Sequence, residues 1–149
     1  MARYLVVNGP NLNALGKRAT GHYGTKTLSE IEASLTEKAS ALGVEVEFFQ
    51  SNHEGAMVDY IQGSSGGAHG MVINAGALTH YGYSLRDAVA DAGLPVVEVH
   101  ISNIHARERW RRRSVLADVV RGQIAGLGWR GYVAALEVLS QLVAEEESA

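Results

Sequence analysis

Five short runs dense in β-branched and other apolar residues punctuate the chain: RYLVV at 3–7, VEVEFF at 44–49, GMVIN at 70–74, LPVVEVH at 94–100 and VVRGQI at 119–124. Most lack a polar residue at every second position. That is the pattern of strands covered on both faces, so the runs predict a parallel sheet enclosed by helices. Between them the spacing turns helical. Thr27 with Glu30 three residues on is a capping-box pattern, and Leu28, Ile31, Leu35 and Leu42 then keep helical spacing up to Gly43. Shorter helices are predicted over 54–62 and 83–92. YVAALEVLSQLVAEE, 132–146, reads as a long amphipathic helix running into an acidic tail expected to fray at about 145–149. There is no internal repeat or linker, and GSSGG at 63–67 is a turn.

Strands alternating with helices at this size predict an α/β fold with a doubly wound five-stranded parallel sheet, most economically in the order 2-1-3-4-5. With 149 residues, 46% of them hydrophobic, the chain is expected to build one core and one domain, residues 1–149. Length favours an open sheet over a barrel. A net charge of −3 gives no overall attraction to nucleic acid or anionic lipid, so any basic site is local. The absence of cysteine removes disulfides, thiolate metal sites and a cysteine nucleophile. No apolar run approaches a membrane span, and MARYLVVNGPN has too short an apolar stretch for a signal peptide. A cytoplasmic protein is expected.

In doubly wound sheets ligands bind beyond the carboxyl ends of the strands, where the strand order reverses. Here that end collects NGPNLNALGKRATGHYG (8–24), NAGALTHYG (74–82) and HISNIHARERWRRRS (100–114), the segments richest in chemistry. The first has four glycines and three asparagines but no carboxylate. It lacks the G-x-G-x-x-G order of dinucleotide loops, and no G-K-[ST] phosphate loop occurs anywhere. The six histidines form no metal-binding motif, and Lys17, Lys26 and Lys38 are not at apolar strand ends that would make them Schiff-base nucleophiles. General acid–base chemistry with an electrostatic clamp remains. Tyr23, His80 and His100 are the candidate proton carriers, with Arg18, Arg107 and Arg111 as cations.

NGPNLNALGKR with the following YG, QSNHEG, NAGALTHYGYSLRDA and VEVHISNIHARERWRRRS together resemble type II 3-dehydroquinate dehydratase, a small flavodoxin-like enzyme. The likeness runs from about residue 4 to the GYVAAL helix. It implies loss of water from 3-dehydroquinate to give 3-dehydroshikimate, by anti elimination through an enolate and without metal or cofactor, in the shikimate pathway or quinate breakdown. By the same resemblance Tyr23 would take the C2 proton and Arg18 would lower its pKa. His100 would protonate the departing C1 hydroxyl, with Glu98 supporting it, and Asn11 would hold a water or the enolate oxygen. Asn74 and His80 would bind substrate hydroxyls. Backbone groups of Ile101 and Ser102 would hold the carboxylate, Arg111 would contact a ring hydroxyl and Arg107 would shape the pocket. Trimers grouped into a dodecamer are implied, with Asp87 reaching a neighbouring site, and no nucleic-acid or membrane partner. Ala19 and Thr20 replace an acid and a proline common in the family, and Gly82 a common serine.

A tyrosine base explains a loop without carboxylates, because a carboxylate beside a phenol would raise the pKa that an arginine must lower. Gly21 and Gly24 flank Tyr23 and would let the segment close as a lid. Several residues also have plainer readings. Asn8, Asn11 and Asn13 suit turns, and Glu98 suits a buried hydrogen-bonded carboxylate, although His100 two residues on shares its face. The five arginines between 107 and 113 could contact nucleic acid, solvent or another subunit. From another functional class, a noncatalytic module binding a small carboxylate or nucleotide is the alternative.

Overall fold

Thr27 opens the first long helix as its sequence predicts. Its hydroxyl accepts from the Glu30 N–H at 3.2 Å, and the Glu30 carboxylate accepts from the Thr27 N–H at 3.1 Å, so two donors left free at a helix start are met reciprocally. The structure, a computed structural model, describes residues 1–149. Its elements in chain order are β1 (Arg3–Asn8), α1 (Thr20–Tyr23), α2 (Leu28–Leu42), β2 (Glu45–Gln50), α3 (Glu54–Ser64), β3 (Gly70–Asn74), α4 (Tyr83–Ala92), β4 (Val96–His100), β5 (Gly122–Ala125) and α5 (Arg130–Ser148). All pairings are parallel, in the expected order β2-β1-β3-β4-β5.

The uninterrupted apolar runs are explained by two cores, one on each face of the sheet. Tyr4, Val6, Val72, Val97 and Val99 pack against Ile31 and Leu35 of α2 and Leu136 and Leu139 of α5. The alternate positions Leu5, Val7, Met71 and Ile73 pack against Met57 and Ile61 of α3 and Leu85 and Val89 of α4. Each such side chain contributes about 1.5–3 kcal/mol through burial. No helix is long and apolar enough to cross a membrane.

Several elements differ from the sequence reading, most by one or two residues; α3, for example, runs on to Ser64, into the GSSGG segment expected to be a turn. The fifth strand begins at Gly122 rather than at 119, because the N–H groups of Val119 and Val120 turn back to the Leu116 carbonyl and both side chains pack on the α3/α4 core. The last helix starts at Arg130 and continues through the acidic tail to Ser148. The loop bearing Tyr23 contains the single-turn helix α1.

Glycines fix two close approaches that frame the strand ends. A Cβ on Gly9 would lie 2.4 Å from the Ala75 carbonyl oxygen, and one on Gly76 would lie 2.8 Å from the Pro10 carbonyl oxygen, so the loops after β1 and β3 interlock. Gly82 occupies the N-cap of α4, where a serine side chain would bond an N–H of the first turn. Here the Glu54 carboxylate of α3 accepts from the Leu85 N–H at 3.0 Å instead. A Cβ on Gly82 would come within 3.1 Å of that carboxylate and 2.8 Å of the Leu78 carbonyl, so the glycine makes room for a cap delivered from another helix.

Candidate active site

The reversal of strand order falls between β1 and β3, whose last residues, Asn8 and Asn74, lie side by side in register. Both are buried, and one tyrosine satisfies both. Tyr132 of α5 donates to Asn8 Oδ1 at 2.6 Å and accepts from Asn74 Nδ2 at 2.8 Å. The Gly76 N–H donates to Asn74 Oδ1 at 3.1 Å, which leaves Asn74 one free N–H proton toward the cavity it lines. The loop after β1 is fastened from β2. Gln50 Nε2 donates to the Gly9 carbonyl at 3.1 Å, and Asn52 Oδ1 accepts from the Asn11 N–H at 2.9 Å. Asn11 is the chain's one non-glycine residue at positive φ, 70°, a conformation asparagine tolerates better than most residues.

The Tyr23 hydroxyl is surrounded by cations. Arg107 Nη1 donates to Tyr23 Oη at 2.7 Å and to Ser102 Oγ at 3.2 Å, while the Arg18 guanidinium lies 4.4 Å above the Tyr23 ring centroid. Burial alone pushes the phenol up, but the Arg107 hydrogen bond and the charges of Arg18, Arg107 and Arg111 outweigh it and hold the phenol below its ordinary value. The direct hydrogen bond therefore belongs to Arg107, expected only to shape the pocket. Arg18 acts from the ring face. Arg107 Nε is buried without a hydrogen bond, with the Glu108 carboxylate 3.8 Å away.

His100 and Glu98 point to the same face of β4, as residues two apart in a strand must. His100 Nε2 meets Glu98 Oε2 at 2.5 Å, and Glu98 is fully buried. Thr79 Oγ1 donates to Glu98 Oε2 at 2.6 Å, Ser114 Oγ to Oε1 at 2.8 Å, and Gln123 Nε2 to Oε1 at 3.0 Å. Desolvation opposes its charge, yet the His100 contact and the hydroxyls of Thr79 and Ser114 hold the carboxyl below the usual range. With Nε2 turned to Glu98, Nδ1 is the ring nitrogen left for the cavity.

His80 Nδ1 lies 2.7 Å from the Arg113 carbonyl, which can only accept, so Nδ1 carries the proton and Nε2 is left as the other polar atom. Burial lowers the His80 imidazole below its ordinary value, helped by the charges of His100 and Arg111. Arg111 is held by Glu108 at 3.0 Å and lies over Trp110. The N–H groups of Ile101 and Ser102 donate to no other group of the chain. A cavity of about 140 Å³ brings together Asn11, Arg18, Tyr23, Asn74, His80, His100, Ile101, Ser102, Arg107 and Arg111. Glu98 sits behind its wall. Asp87 is exposed on α4 and does not line the cavity of its own chain. No group of three or more His, Asp or Glu side chains is arranged to hold a metal.

The family model described as "Dehydroquinase class II" matches residues 2–140. The chain belongs to the class II dehydroquinase family. It is 55% identical over 137 residues to a 3-dehydroquinate dehydratase of Roseiflexus castenholzii, covering 92% of this chain and 87% of that one. With a second, from Desulforudis audaxviator, identity is 54% over 95% of this chain and 94% of the relative. The crystal structure of type II dehydroquinase from Butyrivibrio crossotus superimposes with a TM-score of 0.91 at 45% identity, covering 93% of this chain and 97% of that chain. The dehydroquinase fold thus supplies residues to this site that sequence reasoning left without roles: Thr79, Ser114 and Gln123 around Glu98, and Asn8 with Tyr132 at the switch point. For Asn8 alone a signal was present, a polar residue ending an apolar strand.

Proposed function

We propose that the protein is a single-domain enzyme, residues 1–149, that removes water from 3-dehydroquinate to give 3-dehydroshikimate, the shikimate-pathway step. Tyr23, as phenolate, takes the proton from C2, and the electrons of that C–H bond move into the carbonyl to form an enolate. Asn11, held at positive φ, positions a water or donor for the enolate oxygen. As the enolate collapses, the C1–O bond breaks, and His100 gives its Nδ1 proton to the departing hydroxyl, which leaves as water. Glu98 steadies the imidazolium from behind. The unpartnered N–H groups of Ile101 and Ser102 hold the substrate carboxylate. Asn74, His80 and Arg111 hold the hydroxyls, and Arg107 and Arg18 keep the base charged.

The observation that carries this reading is a cation-bound tyrosine and a carboxylate-backed histidine opening on one cavity, a base and an acid for opposite ends of an elimination. A noncatalytic binder needs neither. Asp87, exposed on α4, completes the site of a neighbouring subunit in a dodecamer built from trimers. A cytoplasmic location without nucleic-acid or membrane partners accompanies this reading, as does turnover without cofactor. Purified protein given 3-dehydroquinate should generate the ultraviolet absorption of a conjugated enone, and His100→Ala should lower kcat by about 100-fold or more. Absence of the enone from the unaltered protein refutes the activity.

A further inference from the structure

Glu98 is buried among donors and has no neighbour that needs its proton. Thr79 comes from the loop after β3, Ser114 from the end of the arginine-rich segment, Gln123 from β5 and His100 from its own strand. Thr79 and Ser114 lie 3.3 Å apart and both turn to the carboxylate. The Leu116 N–H donates to Ser114 Oγ at 3.1 Å, which occupies an acceptor site of that hydroxyl and turns its proton toward Glu98. A protonated Glu98 would put a hydrogen against a ring of hydrogens. The arrangement therefore favours the carboxylate most in the state where it stands alone, after His100 has given its proton away.

We propose that Thr79, Ser114 and Gln123 are positioning residues for His100: by supplying donors to Glu98 they hold it in place and take up part of its negative charge, so that it holds the imidazolium less tightly and His100 gives up its proton more readily. This inference rests on the dehydratase reading for what His100 does, but not for where its proton lies. The other charged or titratable groups around His100 are His80 after β3, Arg107 and Arg111 after β4, and Arg18 and Tyr23 from the lid segment. None of these contacts Glu98. The three donors thus act on the pair from the side away from the substrate.

The sign of the effect follows from which state needs the donors most. Removing a donor destabilises the lone carboxylate more than the carboxylate paired with an imidazolium, so the pair keeps its proton to higher pH and yields it less readily. Thr79→Val, of similar shape, and Ser114→Ala should each lower kcat about tenfold with KM changed less than about twofold. The descending limb of the kcat–pH profile should move to higher pH. Thr79→Ser should restore both. In 15N-histidine-labelled protein, with the His100 signal assigned by His100→Asn, the imidazole should titrate at a higher pH in each donor variant than in the unaltered protein. This readout needs no turnover, so it stands even if the activity assay fails, and it separates failure of this inference from failure of the dehydratase reading. If Thr79→Val does not fold, Gln123→Leu at the exposed edge strand carries the same test. Folded variants whose His100 titration and kcat–pH profile match the unaltered protein overturn the proposal, as does a rate loss with no movement along the pH axis.

Discussion

Replacing Arg107 with methionine keeps most of the length of the side chain while removing its charge and its donors. The perturbation falls on the 2.7 Å hydrogen bond to Tyr23 Oη. An ordinary phenol, with a pKa of about 10, is ionised to about one part in a thousand at pH 7, a handicap of about 4 kcal/mol for a base. A hydrogen bond from a charged donor contributes about 1.5–3 kcal/mol. Tyr23 is only half-buried, so solvent screening places its loss near the lower figure, about 1.5 kcal/mol or a tenfold fall in phenolate at neutral pH. Arg18 makes no hydrogen bond to the phenol and acts through its charge alone, so Arg18→Gln should lower the phenolate in the same direction but less than Arg107→Met does. Difference ultraviolet titration of each variant against its own Tyr23→Phe background reads the phenolate directly. The reasoning is refuted if Arg18→Gln moves the Tyr23 titration as far as Arg107→Met does.

Three further expectations concern the frame around that base. Mixing Asp87→Ala with Tyr23→Phe chains should recover activity through sites that contain neither defect; hetero-oligomers without recovery would place Asp87 in its own chain's function or in none. Gly9→Ala drives a methyl to 2.4 Å from the Ala75 carbonyl oxygen and should cost about 1–3 kcal/mol, read as a lower midpoint in urea; an unchanged midpoint would show that the two loops part easily. Because the folded Glu98 carboxyl lies below its ordinary value of about 4.3, the stability it contributes is complete above that pH and is lost as the pH falls through the lower folded value. A Thr79→Val/Ser114→Ala double variant loses donors and raises the folded value, so its melting temperature should begin to drop at a higher pH; superimposable acid profiles would contradict this.

What the sequence could disclose was local. β1, β3 and β4 are short apolar runs with distinct ends, and α2 carries its own start in Thr27 and Glu30, so these elements follow from neighbours in the chain, and the sheet order from their alternation with helices. Val119 and Val120 were read as strand because they are β-branched, whereas the turn at Leu116 that removes them from β5 is set by packing. At the site, Tyr23 is visible as a tyrosine flanked by Gly21 and Gly24 in a loop without carboxylates, and His100 as a histidine ending an apolar strand. Thr79, Ser114 and Gln123 are not, because hydroxyls and amides in loops or at an edge strand look alike until the fold brings them from 19, 16 and 25 residues away to one carboxylate. The same holds for the division of labour between the two arginines, since Arg107 lies 84 residues from the tyrosine it touches.

The bridge from Tyr132 to Asn8 and Asn74 has a consequence for the order in which the protein is made. β1, α1, β3 and β4 all leave the ribosome before α5. Until that helix docks, the two amides at the switch point lack the phenol that orients them, and one face of the sheet lacks Leu136 and Leu139. A nascent chain can therefore hold Tyr23 and His100 while Asn8 and Asn74 are still without their shared partner. Orientation of the two amides is thus tied to burial of that face of the sheet, in one event that waits for α5 to dock.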